Sequence, residues 1–143
     1  WGMVSRMDTL QAAVLDYRHH KLPDVIARRR DNAALYQKLL HHERMYVPPC
    51  RNEEFNTFHT FVVQVDRRDA LQAHLKEIGI KTAIHYPVPI HLQPAARALG
   101  HERGHFPMTE RQAERILTLP VNQYMSRTDV ETVASEVLAF LDR

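Results

Sequence analysis

Apolar residues recur at three- and four-residue spacing at the start of the chain. Met7, Leu10, Val14 and Tyr17 mark one stripe of an amphipathic helix over Arg6 to Tyr17. Pro23 ends or kinks it, because proline supplies no amide hydrogen and crowds the preceding turn. Helical spacing resumes through Val25, Ile26, Arg29, Ala33, Tyr36 and Leu40. Residues 1–45 therefore predict a long helical arm, and residues 46–143 a small domain that follows it.

The period then changes. Pro48 and Pro49 break the chain, Arg51 to Asn56 is polar, and Thr57 to Val65 is rich in aromatic and β-branched residues, which predicts a strand. His59, Phe61, Val63 and Val65 would share one of its faces. Asp66, with Asp69 three residues on, predicts a capped helix start; Leu71, Leu75 and Ile78 form its apolar face and Gly79 its left-handed stop. Ile80 to Ile84 predicts a second short strand. Two prolines stiffen Tyr86 to Pro89, and Gln93 to Leu99 predicts a short helix stopped by Gly100. Thr109 with Gln112 resembles a capping box, opening a helix that ends near Leu117. A last helix starts near Thr128 and buries Val130, Val133, Val137 and Leu141. The sum is an α+β fold of helical arm, small sheet and packed helices.

Composition bounds the function without naming it. The chain has 143 residues, 44% hydrophobic and 25% charged, which suits a folded domain or a substantial piece of one. Its net charge of +2 is concentrated in Arg28, Arg29 and Arg30 and in the Arg18 to Lys21 stretch. Such runs read as solvated helix faces, and no RNA- or DNA-binding motif accompanies them, so no nucleic-acid partner is expected. No apolar run approaches the roughly 20 residues that span a bilayer, so no membrane partner is expected either. The lone Cys50 cannot form an internal bridge and suits a reducing cytoplasm. A chain that opens on Trp1 reads as a fragment or a processed product.

Few residue patterns carry chemistry. Of ten histidines only His101 and His105 have one-turn helical spacing, Gly104 between them argues for a loop, and no second cysteine or acidic partner completes a zinc set. No metal site is expected. Four glycines form no phosphate loop, and no G-x-S-x-G turn is present. Lys21, Lys38, Lys76 and Lys81 all lack the Ser-flanked context of a Schiff-base lysine, so no catalytic residue is expected on this chain. The segment from Ala83 to Pro94 differs from the rest. It leaves a strand, is stiffened by prolines, and carries His85, Tyr86, His91 and Gln93, a good composition for a ligand-binding wall.

The run His85-Tyr86-Pro87-x-Pro89-x-His91-x-Gln93-Pro94-Ala95 resembles the signature of the DegT/DnrJ/StrS family of sugar aminotransferases. Ser5 to Ala13 is similar to that family's entry into its small domain, and Arg68 to Leu71 with Gly79-Ile80 fits in order and spacing. Phe106-Pro107, Glu110, Ala113 and Leu117 to Pro120 resemble its C-terminal pattern. The resemblance covers nearly the whole chain.

It implies the small domain, with an antiparallel sheet, of an aspartate-aminotransferase-like enzyme that uses pyridoxal phosphate (PLP). The Schiff-base lysine and the acidic partner of the pyridine nitrogen would lie on a missing N-terminal large domain. The implied whole is a cytoplasmic homodimer that moves an amino group, from glutamate as donor, onto a keto-sugar nucleotide at sites along the subunit interface. Residue by residue, Arg6 matches a family arginine near the substrate diphosphate, which guanidinium geometry suits. Val4 stands where the family has an asparagine that contacts the PLP phosphate. His85 and Tyr86 match residues lining the sugar-nucleotide pocket, and His91 and Gln93 match positions on the same loop. A truncated or degenerate relative acting as a binding or regulatory module is the alternative; a free-standing ferredoxin-like regulatory domain is a third, suggested by strand–helix–strand order alone.

Overall fold

The computed structural model describes residues 5–51 and 53–143; Val4, where the asparagine was expected, lies outside them. Two helices come first, α1 (Thr9–His19) and α2 (Leu22–Leu39). Asp8 caps α1, its carboxylate accepting from the Gln11 amide at 2.9 Å. Pro23 does more than interrupt: it sits in the first turn of α2, where a missing amide costs nothing. Burial then divides the predicted arm. No residue of α1 is buried, whereas Asn32, Ala33 and Tyr36 of α2 are, and α2 packs along the last helix.

The sheet has three antiparallel strands in the order β1 (Met45–Tyr46), β2 (Phe61–Val65), β3 (Ile116–Leu119). Met45 pairs with Val65, and Phe61 and Val63 pair with Leu119 and Leu117. Phe61, Val63, Val65, Leu117 and Leu119 are all buried and meet Ala33, Tyr36, Leu71, Leu75, Val130 and Val137 in one core.

Several expectations need correction, each for a local reason. The strand predicted from Thr57 begins only at Phe61, because Phe58 has φ +48°. Asn56 Oδ1 accepts from its amide at 2.8 Å, and Arg29 donates to the carbonyls of Phe58 and His59 at 3.2 and 3.0 Å. Those bonds hold a left-handed residue that a strand cannot contain. Asp66 does not cap α3 (Arg68–Glu77): its carboxylate pairs with Arg115 at 3.0 Å, and the cap position falls to Arg67 at φ +57°.

The strand expected over Ile80 to Ile84 shrinks to one bridge, Ala83 with Thr118. Ile80 is already engaged, since its amide bonds Leu75 while that of Gly79, at φ +83°, bonds Lys76; this paired closure ends α3. The sheet's other outer segment is instead β3, read from sequence as the end of a helix. The helix before it, α4 (Pro107–Arg115), starts at Pro107 rather than at a Thr109 cap, and Ile116 turns extended at ψ 136°. Ile-Leu-Thr-Leu ahead of Pro120 suits a strand, because proline disfavours helical backbone at the residue before it.

Two short 3₁₀ turns, Ile90–Leu92 and Pro94–Leu99, replace the helix expected from Gln93, and Gly100 at φ +71° closes the second. The last helix, α5 (Arg127–Leu141), buries the four predicted residues plus Ala134 and Phe140. It opens on a reciprocal box between Ser126 and Asp129, so that its first residue, Arg127, lies one position ahead of the expected Thr128.

Candidate functional site: a braced polar loop

The segment from Ala83 to Gln93 leaves the sheet beside β3 and is fastened at both ends. At its start, Ala83 and Thr118 exchange backbone hydrogen bonds of 3.2 and 2.7 Å. Two residues on, His85 Nδ1 lies 3.0 Å from the Thr118 hydroxyl. The His85–Tyr86 peptide is cis, and the two rings meet edge to face with centroids 5.6 Å apart. Tyr86 is 74% exposed and makes no side-chain hydrogen bond within the described residues, so its phenol is free to meet a ligand.

The far end is anchored by a carboxylate. His91 is buried, and its Nε2 lies 2.9 Å from Glu110 Oε1. Glu110, also buried, accepts from the Gly104 amide at 2.8 and 2.9 Å and from the Phe106 amide at 3.4 Å. The His91 ring also packs on Phe106 at 4.8 Å. Burial alone would raise the Glu110 pKa. The Gly104 amide, the His91 ring and the Phe106 amide outweigh that effect and hold it below the ordinary 4.5. The 3₁₀ turn is closed by Leu92 N donating to Pro89 O at 2.9 Å, and Gln93 Nε2 donates to the Val88 carbonyl at 3.3 Å.

The five sequence-predicted residues thus separate by what they touch. His85 and Tyr86 stand together on the exposed crest of the loop. Gln93 is exposed but its amide braces the loop, and His91 faces inward onto Glu110. Arg6 is exposed in a shallow groove of about 520 Å³ lined by Ser5, Met7, Leu10, Gln11, Val14 and Leu15, to which the loop contributes nothing. Two residues went unassigned from sequence, Thr118 and Glu110. Each was visible as part of a pattern, Glu110 three positions after Pro107 and Thr118 between two core leucines, but its partner is distant in the chain.

The described residues do not make a complete cofactor site. Lys76 and Lys81 line a groove on α3 that contains neither His85 nor Tyr86. Lys21 Nζ donates to the Tyr17 hydroxyl on α1–α2, and Lys38 sits in the last turn of α2. Among the described residues no three His, Cys, Asp or Glu side chains gather as a metal set; the His101 and His105 rings stack edge to face, 5.9 Å apart. Among the described residues no helix is long and apolar enough to cross a membrane.

Fold and site together define a small α+β module that presents a rigid polar loop while leaving α1 uncovered. Sequence comparison makes this specific: the profile of the DegT/DnrJ/EryC1/StrS aminotransferase family matches residues 1–138, and the chain belongs to that family. It is 38% identical over 136 residues to the dTDP-3-amino-3,6-dideoxy-alpha-D-galactopyranose transaminase of Aneurinibacillus thermoaerophilus, covering 95% of this chain and 37% of that protein. A pleiotropic regulatory protein of Geobacillus stearothermophilus is 34% identical over 142 residues, covering 97% of this chain and 38% of the relative. Among solved structures, S. venezuelae DesV, in complex with a ketimine intermediate, superposes with a TM-score of 0.92 at 35% identity. That match covers 99% of this chain and 38% of DesV. The chain therefore spans well under half the length of the relatives it matches.

Proposed function

We propose that this chain is the substrate-side portion of a PLP-dependent aminotransferase that moves an amino group from glutamate to a keto-sugar nucleotide. The observation that carries the reading is the exposed His85–Tyr86 pair on a loop braced from behind by Thr118 and Glu110. A site of this kind binds well because little ordering remains to be done when ligand arrives. His85 and Tyr86 hydrogen-bond sugar hydroxyls or phosphate oxygens, and the phenol ring supplies a stacking face. Arg6 meets a diphosphate; its separation from the loop supports a homodimer in which it serves the partner subunit's site. Gln93 and His91 keep the loop in shape. PLP, when bound, supplies the electron sink, and the groups that hold it belong to a large domain preceding this segment. The reaction is placed in the cytoplasm, in keeping with the single thiol.

The test is to express the full open reading frame that contains this segment and assay it with PLP, glutamate and a dTDP-keto-sugar. Amino-sugar nucleotide should form, and the 143-residue chain alone should form none. A second reading, a non-catalytic regulatory module, draws on the name of the Geobacillus relative. It predicts no amino-sugar from the full-length product with any dTDP- or UDP-keto-sugar tried.

A further inference from the structure

We infer that Thr118 is a positioning residue that fixes which nitrogen of His85 carries the proton, so that His85 presents an N–H donor to an oxygen of the sugar nucleotide. The inference rests on the reading of His85 as a substrate contact.

Thr118 lies in β3 between Leu117 and Leu119, which point into the core, so its side chain emerges on the opposite face. It is 8% exposed, and its backbone N–H and C=O are both taken by Ala83. Its hydroxyl has a single partner among the described residues, His85 Nδ1 at 3.0 Å.

A buried hydroxyl hydrogen needs an acceptor. Were Nδ1 protonated, the ring would donate to Oγ1 and the hydroxyl hydrogen would have nowhere to go. Both groups are satisfied only when Oγ1–H donates to Nδ1. The imidazole hydrogen then sits on Nε2, across the ring from the sheet. An Nε2–H donor matches the acceptor oxygens of a diphosphate or a sugar hydroxyl, and the opposite tautomer would present a lone pair to them.

The hydroxyl is not needed for the strand. Valine has the same branched shape and an equal fitness for a pleated surface, so packing alone gives no reason for threonine here. The backbone bridge at Ala83 adds register: it fixes how far along β3 the loop departs, and so keeps the imidazole opposite the hydroxyl.

The test has two arms. Long-range ¹H–¹⁵N correlation spectra of the labelled chain, recorded near pH 8.5 where an ordinary imidazole is neutral, report the tautomer directly. His85 should be a single Nε2–H form whose Nδ1 resonance carries the shift of a hydrogen-bond acceptor. Thr118→Val should move that resonance to the value of an unbonded nitrogen, and Thr118→Ser should restore it. An Nδ1–H form in the unaltered chain, or spectra that Thr118→Val leaves unchanged, overturns the positioning role.

In the second arm, the same variants are placed in the full-length product. Thr118→Val should raise KM for the sugar nucleotide about three- to tenfold, as expected for one lost hydrogen bond, and more than it lowers kcat; serine should recover it. A KM that stays put while the spectra change overturns the inference through His85's substrate role, leaving the hydroxyl–imidazole bond itself intact.

Discussion

Glu110 shows how one side chain can hold several segments at once. Its carboxylate joins the start of α4 to the Gly104 turn, to Phe106 and to His91 on the polar loop. Because its pKa is depressed in the folded chain, the folded state binds fewer protons than the unfolded one near that pKa, and acid favours unfolding. This contribution is complete above the ordinary value of 4.5 and fades as pH falls through the depressed one. Thermal melts between pH 6 and about 3 should show a drop in Tm for the unaltered chain, with a shallower slope and a lower starting value for Glu110→Gln. Equal slopes would remove the carboxylate from the account. Tyr36 makes the opposite case. It is fully buried, its hydroxyl has no hydrogen-bond partner among the described residues, and burial, aided by the charge of Asp129, drives its pKa up. Tyr36→Phe removes an unpaid desolvation and should stabilise the chain by about 1 kcal/mol in urea unfolding. The sequence exposed the loop chemistry of His85, Tyr86, His91 and Gln93 because those residues lie close together. It concealed Thr118 and Glu110, which reach the loop across 33 and 19 positions through the fold.

At the level of elements, helices read from sequence better than strands did. α1, α2, α3 and α5 each bury or expose a face at helical spacing, and their starts fall within a few residues of the expected ones. The sheet was harder, because strand identity depends on pairing with residues far away. Ile80 to Ile84 and Ile116 to Leu119 are both short β-branched runs, but the second pairs along β2 while the first has Ile80's amide taken at the end of α3 and meets β3 only through the Ala83–Thr118 bridge. Caps were misplaced in the same way: Asp66 had the right chemistry, but Arg115 offered its carboxylate a better partner. At α5 the Ser126 hydroxyl accepts from the Asp129 amide at 3.2 Å while the Asp129 carboxylate accepts from the Ser126 amide at 2.7 Å. Ser126→Ala should therefore cost about 1 kcal/mol of unfolding free energy, with no change in the helix content of the folded chain by circular dichroism. A cost near zero would mean that packing of Val130 and Val133 alone sets the start of α5.

The whole molecule is asymmetric in what it covers. Its core is closed on α2, α3, α5 and the sheet, while Met7, just ahead of α1, and Leu10 and Val14 on it are left at 66, 76 and 50% exposure. An apolar stripe of this kind favours self-association. Sedimentation of the chain should show a mass that rises with concentration; Leu10→Lys with Val14→Lys should shift it to monomer and change unfolding free energy by no more than about 0.5 kcal/mol. A loss of stability on those changes would place α1 in the folding unit. The same division underlies the functional account, in which this chain contributes a substrate wall to a larger aminotransferase. The most direct measurement of that claim compares His85→Ala and Tyr86→Ala with His101→Ala in the full-length product, assayed for amino transfer to a dTDP-keto-sugar. Either substitution on the loop crest should lower kcat/KM about 10- to 100-fold, chiefly through KM, as expected when a hydrogen bond to a charged ligand is lost, with His101→Ala near unaltered activity. Full activity in both crest variants would contradict the account.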